Sequence, residues 1–184
     1  NPRRISSSFT RYDNYSYTNL LPRKGCYSCY QSPKYKVRVR VSMYGLTPGK
    51  HGFHIHQSGD LTEGCVSACA HFNPYNTVHG DRKDKQRHVG DLGNIVASDE
   101  GRVEMTFDDS LIELRGPNSI IGRCAIVHAD EDDLGRFGER GKRDESIGDI
   151  AEIQMRRDES KKTGNAGERI ACGVIGYSKH MFRH

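Results

Sequence analysis

The chain has 184 residues, 34% of them hydrophobic and 28% charged, with 20 glycines and no tryptophan. That length suits one compact domain, and the glycine content favours a turn-rich β architecture over a large helical core. No apolar run approaches the roughly 18 residues of a bilayer-spanning helix, which excludes such a helix. The net charge of +4 suits a small anionic ligand and falls short of a dedicated nucleic-acid surface.

Residues 1–36 are polar, rich in Ser and Tyr, and weakly patterned. Asp13-Asn14 reads as a hairpin turn between short strands at 9–12 and 15–21. Cys26-Tyr27-Ser28-Cys29 lacks the Met-x-Cys-x-x-Cys context of a copper chaperone and reads as a surface disulfide or two free thiols. From residue 37 the pattern sharpens. Val37, Val39, Val41 and Met43 alternate with Arg38, Arg40, Ser42 and Tyr44, the period of a half-buried strand. Leu46-Thr47-Pro48-Gly49 reads as a turn. Further strands are predicted at 52–56, 94–97, 103–107, 120–122, 125–128 and 171–175, with Cys124 expected as a small buried residue. Many short strands between turns imply an all-β sandwich or barrel.

Two connections are long, 59–90 and 130–164, and long loops in a compact domain are functional or disordered. The first holds three histidines, His71, His79 and His88. The second is highly charged: between 136 and 162, eight basic residues stand against seven acidic ones. Ile147, Ile150, Ala151 and Ile153 fall at helical spacing behind Ser146 and Asp149 as a capping box. This stretch reads either as a short amphipathic helix or as a solvated insert. The tail at 179–184, with His180, Met181 and His184, is expected to fray.

Seven of the 9 histidines lie between His51 and His128. His54 and His56 stand at i and i+2, so on a strand both rings face one side. His71, His79 and His88 follow, then Asp91, and His128 ends another predicted strand. Three histidines and an aspartate match a closed tetrahedral zinc site, and four histidines suit a tetragonal copper site. Seven residues fill two four-ligand sites only if one is shared. An imidazole has two ring nitrogens, and His71, between the two groups in sequence, is the natural bridge.

The segments Gly52-Phe53-His54-Ile55-His56, His71-Phe72-Asn73-Pro74, Arg87-His88-Val89-Gly90-Asp91-Leu92-Gly93-Asn94, Ile121-Gly122-Arg123, Asp132-Asp133-Leu134-Gly135 and Thr163-Gly164-Asn165-Ala166-Gly167-Glu168-Arg169 running on to Gly176 resemble the copper/zinc superoxide dismutase family, in its order. The resemblance covers about 37–135 and 163–177. It implies a Greek-key β-barrel or sandwich, immunoglobulin-like, of about eight antiparallel strands with two long functional loops. It implies copper on His54, His56, His71 and His128, and zinc on His71, His79, His88 and Asp91. Asp132 becomes a carboxylate between a copper-ligand and a zinc-ligand histidine, and His51 a brace of the backbone. Arg169 holds the superoxide anion beside copper, Thr163 lines the narrow channel, and His71 takes and returns a proton. Cys65 and Cys172 form the internal disulfide.

The implied activity is conversion of superoxide to dioxygen and hydrogen peroxide on histidine-bound copper, with zinc holding and tuning the bridge. The implied partners are a second copy of the chain and a copper chaperone, with no nucleic acid and no membrane. Cytoplasm is the expected compartment, since no signal-peptide pattern is visible, and the extracellular space is the alternative, hinted at by the Asn14-Tyr15-Ser16 sequon. The expected division is a divergent N-terminal segment at 1–36, which has room for the first strands, a catalytic domain at 37–178 with its charged insert at 136–162, and the tail. Two departures from the family stand out: Cys69-Ala70 where it usually has Gly-Pro, and the longer insert.

Two other functions compete with this reading. A non-catalytic metal-binding or chaperone-like module of the same fold typically lacks copper ligands or the arginine, and here both are present. A cupin-like oxygenase starting from His54-x-His56 needs a glutamate ligand that is not at the required spacing and leaves the zinc-type cluster unexplained.

Overall fold

A computed structural model describes residues 4–8, 24–31, 36–138 and 149–177. The expected hairpin at 9–21, the cap Ser146 and the tail histidines lie outside the described residues. In chain order the elements are β1 (Arg4–Ser8), β2 (Lys24–Gln31), β3 (Val37–Tyr44), β4 (Gly49–His56), β5 (Asp91–Ala97), β6 (Arg102–Asp109), β7 (Cys124–His128), α1 (Ile150–Thr163), β8 (Arg169–Val174) and β9 (Gly176–Tyr177), with a 3₁₀ turn at Gly64–Ala68.

The strands form two sheets, ordered β6-β3-β2-β1-β9 and β5-β4-β7-β8, and the named pairings are antiparallel. β3 and β4 follow each other in sequence but lie in different sheets, and β3 pairs with β6 as β4 pairs with β7, so the chain crosses between layers in Greek-key fashion. Alternation decides which side chains fill the space between the sheets. Val37, Val39, Val41 and Met43 of β3 turn inward and are buried, as are Val103 and Phe107 of β6. From the other sheet come Phe53 and Ile55, Ala125 and Val127, Ile95 and Ala171. Burying a large apolar side chain stabilises by about 1.5–3 kcal/mol, so this shared layer dominates the fold.

β4 is buried on both faces from His51 to His56. Phe53 and Ile55 face the core, so His54 and His56 face the opposite side, which a one-sided sheet would leave to water. The two long connections cover it instead. The same outward face of β7 and β8 carries Cys124, Ile126 and Cys172, which close a second small cluster with Cys65 and Ala68.

β3 has its predicted bounds, the other predicted strands begin one to three residues early, β8 ends one residue short, and among the described residues the strand predicted at 120–122 is absent. Residues 120–122 form a turn, with Ile120 buried, Gly122 at φ 79° and the Gly122 N–H donating to Ile175 O. The polar N-terminal segment supplies β1 and β2, whose pairing rests on backbone bonds that an apolar-pattern search does not see. Cys29 is a free, buried thiol and not half of a surface disulfide.

In the charged insert, α1 is capped by the Asp149 carboxylate, which accepts from Ala151 N, and ends at Gly164 in the left-handed region, with Lys161 and Lys162 in its last turn. It is not amphipathic: Ile150 and Met155 are exposed and Ser160 is its one buried residue. Polar contacts dock it. Ser160 Oγ donates to Asp133 and accepts from Phe137 N, and Lys161 Nζ donates to Gly135 O.

Candidate metal centre

His54 and His56 on β4, His128 at the end of β7 and His71 on the long first loop bring their ligand nitrogens within 4.8 Å of one another, all buried. In each ring one nitrogen is occupied. His56 Nδ1 lies 2.8 Å from Cys69 O, His128 Nδ1 2.9 Å from Gly167 O, His71 Nδ1 2.9 Å from Asp91, and His54 Nε2 2.8 Å from Asp132. The other nitrogen of each ring, His54 Nδ1, His56 Nε2, His71 Nε2 and His128 Nε2, is buried without a hydrogen-bond partner. Buried polar atoms are normally satisfied, so four convergent orphans fit an ion. Burial holds His54 and His128 down to about 4 and His71 to about 3, and drives His56 well below its ordinary value. All four are neutral at pH 7, the form that binds a metal.

A second group shares His71. The ligand atoms of His71, His79, His88 and Asp91 also fall within 4.8 Å. His71 Nδ1 and His79 Nδ1 each lie 2.9 Å from Asp91 Oδ1, and His88 Nδ1 lies 3.1 Å away. Zinc–ligand bonds of about 2.0–2.1 Å give tetrahedral edges of about 3.3–3.4 Å; His71 Nδ1 and His88 Nδ1 stand 3.4 Å apart, and the contacts to Asp91 are a few tenths of an ångström tighter. The other Asp91 oxygen accepts from the backbone N–H of Gly80 and His88, which fixes its plane. Burial opposes ionisation of Asp91, but bonds from the three histidines outweigh it and hold the carboxyl well below the usual range.

Asp132 joins the two groups. Its Oδ2 accepts from His54 Nε2 at 2.8 Å and its Oδ1 from His79 Nε2 at 2.7 Å. One carboxylate thereby fixes both rings with Nε2–H toward Asp132 and Nδ1 toward the two ligand groups. Asn94 clamps it, accepting from Asp132 N and donating to Asp132 O, each at 2.8 Å. The His51 ring spans from His128 O to Thr47 O, at 2.9 and 2.8 Å.

Arg169 opens β8 and is the register partner of His128 across a bulge. Its guanidinium donates to Cys65 O and Val66 O at 2.9 and 3.1 Å, and to Cys69 O at 2.7 Å. Cys65 is bonded to Cys172, so the disulfide ties down the loop that aims Arg169. Cys69 adopts φ 64°, ψ −153°, a region costly for any residue but glycine. Its carbonyl serves both His56 and Arg169.

A cavity of about 1050 Å³ leads to this cluster, lined by His56, His71, His128 and Arg169 below and by Lys162 and Thr163 of α1 above. The Thr163 hydroxyl donates to Glu159. The structure thus brings together the histidines, Asp91, Asp132, Arg169 and Thr163. Sequence reasoning gave no role to Arg87 or Gly164. Buried Arg87 donates to Asp109 and to Asp91 O, at 2.5 and 2.6 Å, and braces the zinc-type loop. An arginine directly before His88, four residues from Asp91, was the available signal.

Residues 24–175 match the family model described as copper/zinc superoxide dismutase. An extracellular Cu-Zn superoxide dismutase of Brugia pahangi is 51% identical over 81% of this chain and 67% of its own length. A Cu-Zn superoxide dismutase of Onchocerca volvulus is 57% identical over 74% and 77%, and one of Paramecium bursaria Chlorella virus 1 is 53% identical over 80% and 70%. Among solved structures, the clock protein EA4 superposes with a TM-score of 0.76 at 37% identity, covering 96% of each chain.

Proposed function

We propose that this chain, which belongs to the copper/zinc superoxide dismutase family and is a superoxide dismutase, holds copper on His54, His56, His71 and His128, and zinc on His71, His79, His88 and Asp91. The family's resident metals are one copper and one zinc per chain. The observation that carries the assignment is His71: Nδ1 faces Asp91 in one group, and Nε2 is a buried orphan in the other.

Copper held by these four histidines would supply one-electron chemistry, so that one superoxide is oxidised to dioxygen and a second is reduced, with two protons, one from His71 and one from solvent, to hydrogen peroxide. The protein supplies the rest. Arg169, held by three carbonyls, offers fixed positive charge to the anion. His71 carries a proton on Nε2 in one half of the cycle and delivers it in the other, while Asp91 keeps Nδ1 oriented. Thr163 narrows the channel against larger anions. The zinc group holds the bridge in place.

The catalytic domain is taken as 37–178, with β1 and β2 of the segment 1–36 completing its sheet. We assign the insert at 136–162 a part in guiding superoxide, so the rate falls with added salt. Deleting within 140–157 with no change in rate or salt dependence would sink that assignment. A homodimer through Val174 and Tyr177, both exposed, and Ile121-Gly122 is the assembly we infer, and sedimentation at dilute protein tests it. A copper chaperone is the proposed loading partner. For the compartment, the name of the Brugia pahangi relative and the Asn14 sequon favour the extracellular alternative over cytoplasm.

A superoxide dismutation assay, with copper and zinc quantified in the same sample, tests the ligand assignment. Activity at one of each metal per chain is expected. Metal bound equally well by His71→Ala would overturn the shared-ligand reading.

A further inference from the structure

We propose that Lys161 of α1 is a positioning residue that sets the zinc half of the centre through His79. The inference rests on the assignment of His79 to zinc. Three segments meet at this lysine. Its carbonyl accepts from His79 N at 2.8 Å, and its Nζ donates to Gly135 O at 2.5 Å. Gly135, at φ 72°, lies so close to the His79 carbonyl that a Cβ there would crowd that oxygen. The backbone of His79 is therefore gripped from both sides, by Lys161 O on its N–H and by Gly135 against its C=O, and the lysine side chain joins the two jaws.

The ring of His79 meets a carboxylate at each nitrogen, Asp132 at Nε2, 2.7 Å away, and Asp91 at Nδ1, 2.9 Å away. Where Nδ1 sits depends on where the backbone sits, and the backbone position depends on α1. Lys161 O is one of the last-turn carbonyls that a helix leaves without an internal partner, so the His79 N–H and the end of α1 satisfy each other. Asp133 strengthens the link: it accepts from Ser160 Oγ at 2.7 Å and from Asn165 Nδ2 at 2.7 Å, next in sequence to the carboxylate that orients His79. A lysine here does something that an unbranched apolar residue of the same length cannot, because only the ammonium reaches Gly135 O while the main chain holds His79.

The test uses the full chain with copper in place and Co²⁺ as the probe for the zinc group, comparing the parent with Lys161→Met and Lys161→Arg. Tetrahedral Co²⁺ bands in the parent are expected. In Lys161→Met the bands shift, and zinc is released about 3–10-fold more readily in a chelator titration, below the 10–100-fold typical of residues that contact the ligand directly. Copper retention stays at the parent's level. Lys161→Arg, which keeps a donor of similar reach, restores the bands. If Lys161→Met keeps the parental Co²⁺ spectrum and zinc retention, Lys161 is a surface residue and the inference falls alone. If the parent shows no tetrahedral Co²⁺ bands, the ligand assignment falls and takes the inference with it. A loss in Lys161→Met that Lys161→Arg leaves uncorrected, with equal loss of copper, marks general destabilisation and overturns the positioning role.

Discussion

Gly164 rests directly against Asp132. It is the left-handed cap of α1 at φ 71°, and a Cβ there would overlap the Asp132 carboxylate and crowd His79 Nε2. The end of the helix is thus packed onto the one side chain that orients a histidine in each metal group. Gly164→Ala is expected to cost about 1–2 kcal/mol from the backbone alone. It also displaces the carboxylate, and zinc affinity falls about 10–100-fold. Thermal unfolding and a zinc titration measure the two effects. Parental zinc affinity would show that Asp132 tolerates the displacement.

Arg169 is held by carbonyl oxygens of Cys65, Val66 and Cys69, which a lysine cannot match with one point of charge. Arg169→Lys keeps the attraction for an anion but loses its aim. Its kcat/KM is expected to fall about tenfold with the salt dependence retained, whereas Arg169→Ala loses about 100-fold together with much of the salt dependence. Stopped-flow rates across ionic strength separate the two. Equal rates in both variants would mean that charge alone matters.

Cys69 holds a backbone conformation suited to glycine, and only its carbonyl contacts His56 and Arg169. Cys69→Gly relieves the strain while leaving that carbonyl in place. An increase in stability of about 1 kcal/mol is expected, read as a higher Tm of the metal-loaded protein. A lower Tm would show that the thiol packs favourably enough to offset the strain.

The legible parts of this molecule were those with a period or a donor set. The alternation in β3 announced a half-buried strand, and His54-x-His56 on one strand face announced a shared ligand position. Both rest on side-chain chemistry that local spacing exposes. β1 and β2 were not legible, because a polar strand joined by backbone hydrogen bonds has no side-chain signature. The extent of α1 was misjudged because its anchors, Ser160 to Asp133 and Lys161 to His79, reach across the chain and are polar. The apolar residues at helical spacing pointed toward a buried face, yet Ile150 is exposed to solvent. Gly164 and Asn94 act by fitting against Asp132, and such contacts exist only after folding.

The metal-free protein has a stability profile with two limbs. Burial holds His54 and His128 down to about 4 and His71 to about 3, while the unfolded chain protonates near 6.5. Below about 6.5 the unfolded state binds more protons, so stability falls as pH drops toward 4. His79 acts in the opposite direction. Burial acts to lower it, but the Asp132 and Asp91 carboxylates outweigh burial and raise it to about 10. That contribution is complete below about 6.5 and is lost as pH rises toward 10. The metal-free Tm is therefore expected to peak near pH 7, with the steeper fall on the acid side, where several rings act together. Metals bound there would compete with protons for the imidazoles and move the acid limb lower. A flat metal-free Tm between pH 4 and 7 would overturn this account.

The disulfide links stability to the placement of Arg169. Cys65 and Cys172 are 107 residues apart, and closing a loop of that size removes up to about 4.7 kcal/mol of unfolded-state entropy. Cys65 O also accepts from Arg169, and Val66 O beside it does the same. Cys172 lies on the strand that begins with Arg169. The bond therefore pins the arginine from both directions, through its own strand and through the loop that receives its hydrogen bonds. Reduction, or Cys65→Ser, is expected to lower the Tm steeply and to lower kcat/KM well below the folding midpoint, where the protein is still native. Measuring the rate against temperature in oxidised and reduced samples with copper content matched isolates the second effect. If the reduced protein keeps its full rate until it unfolds, Arg169 is positioned by β8 alone and the loop carbonyls are incidental.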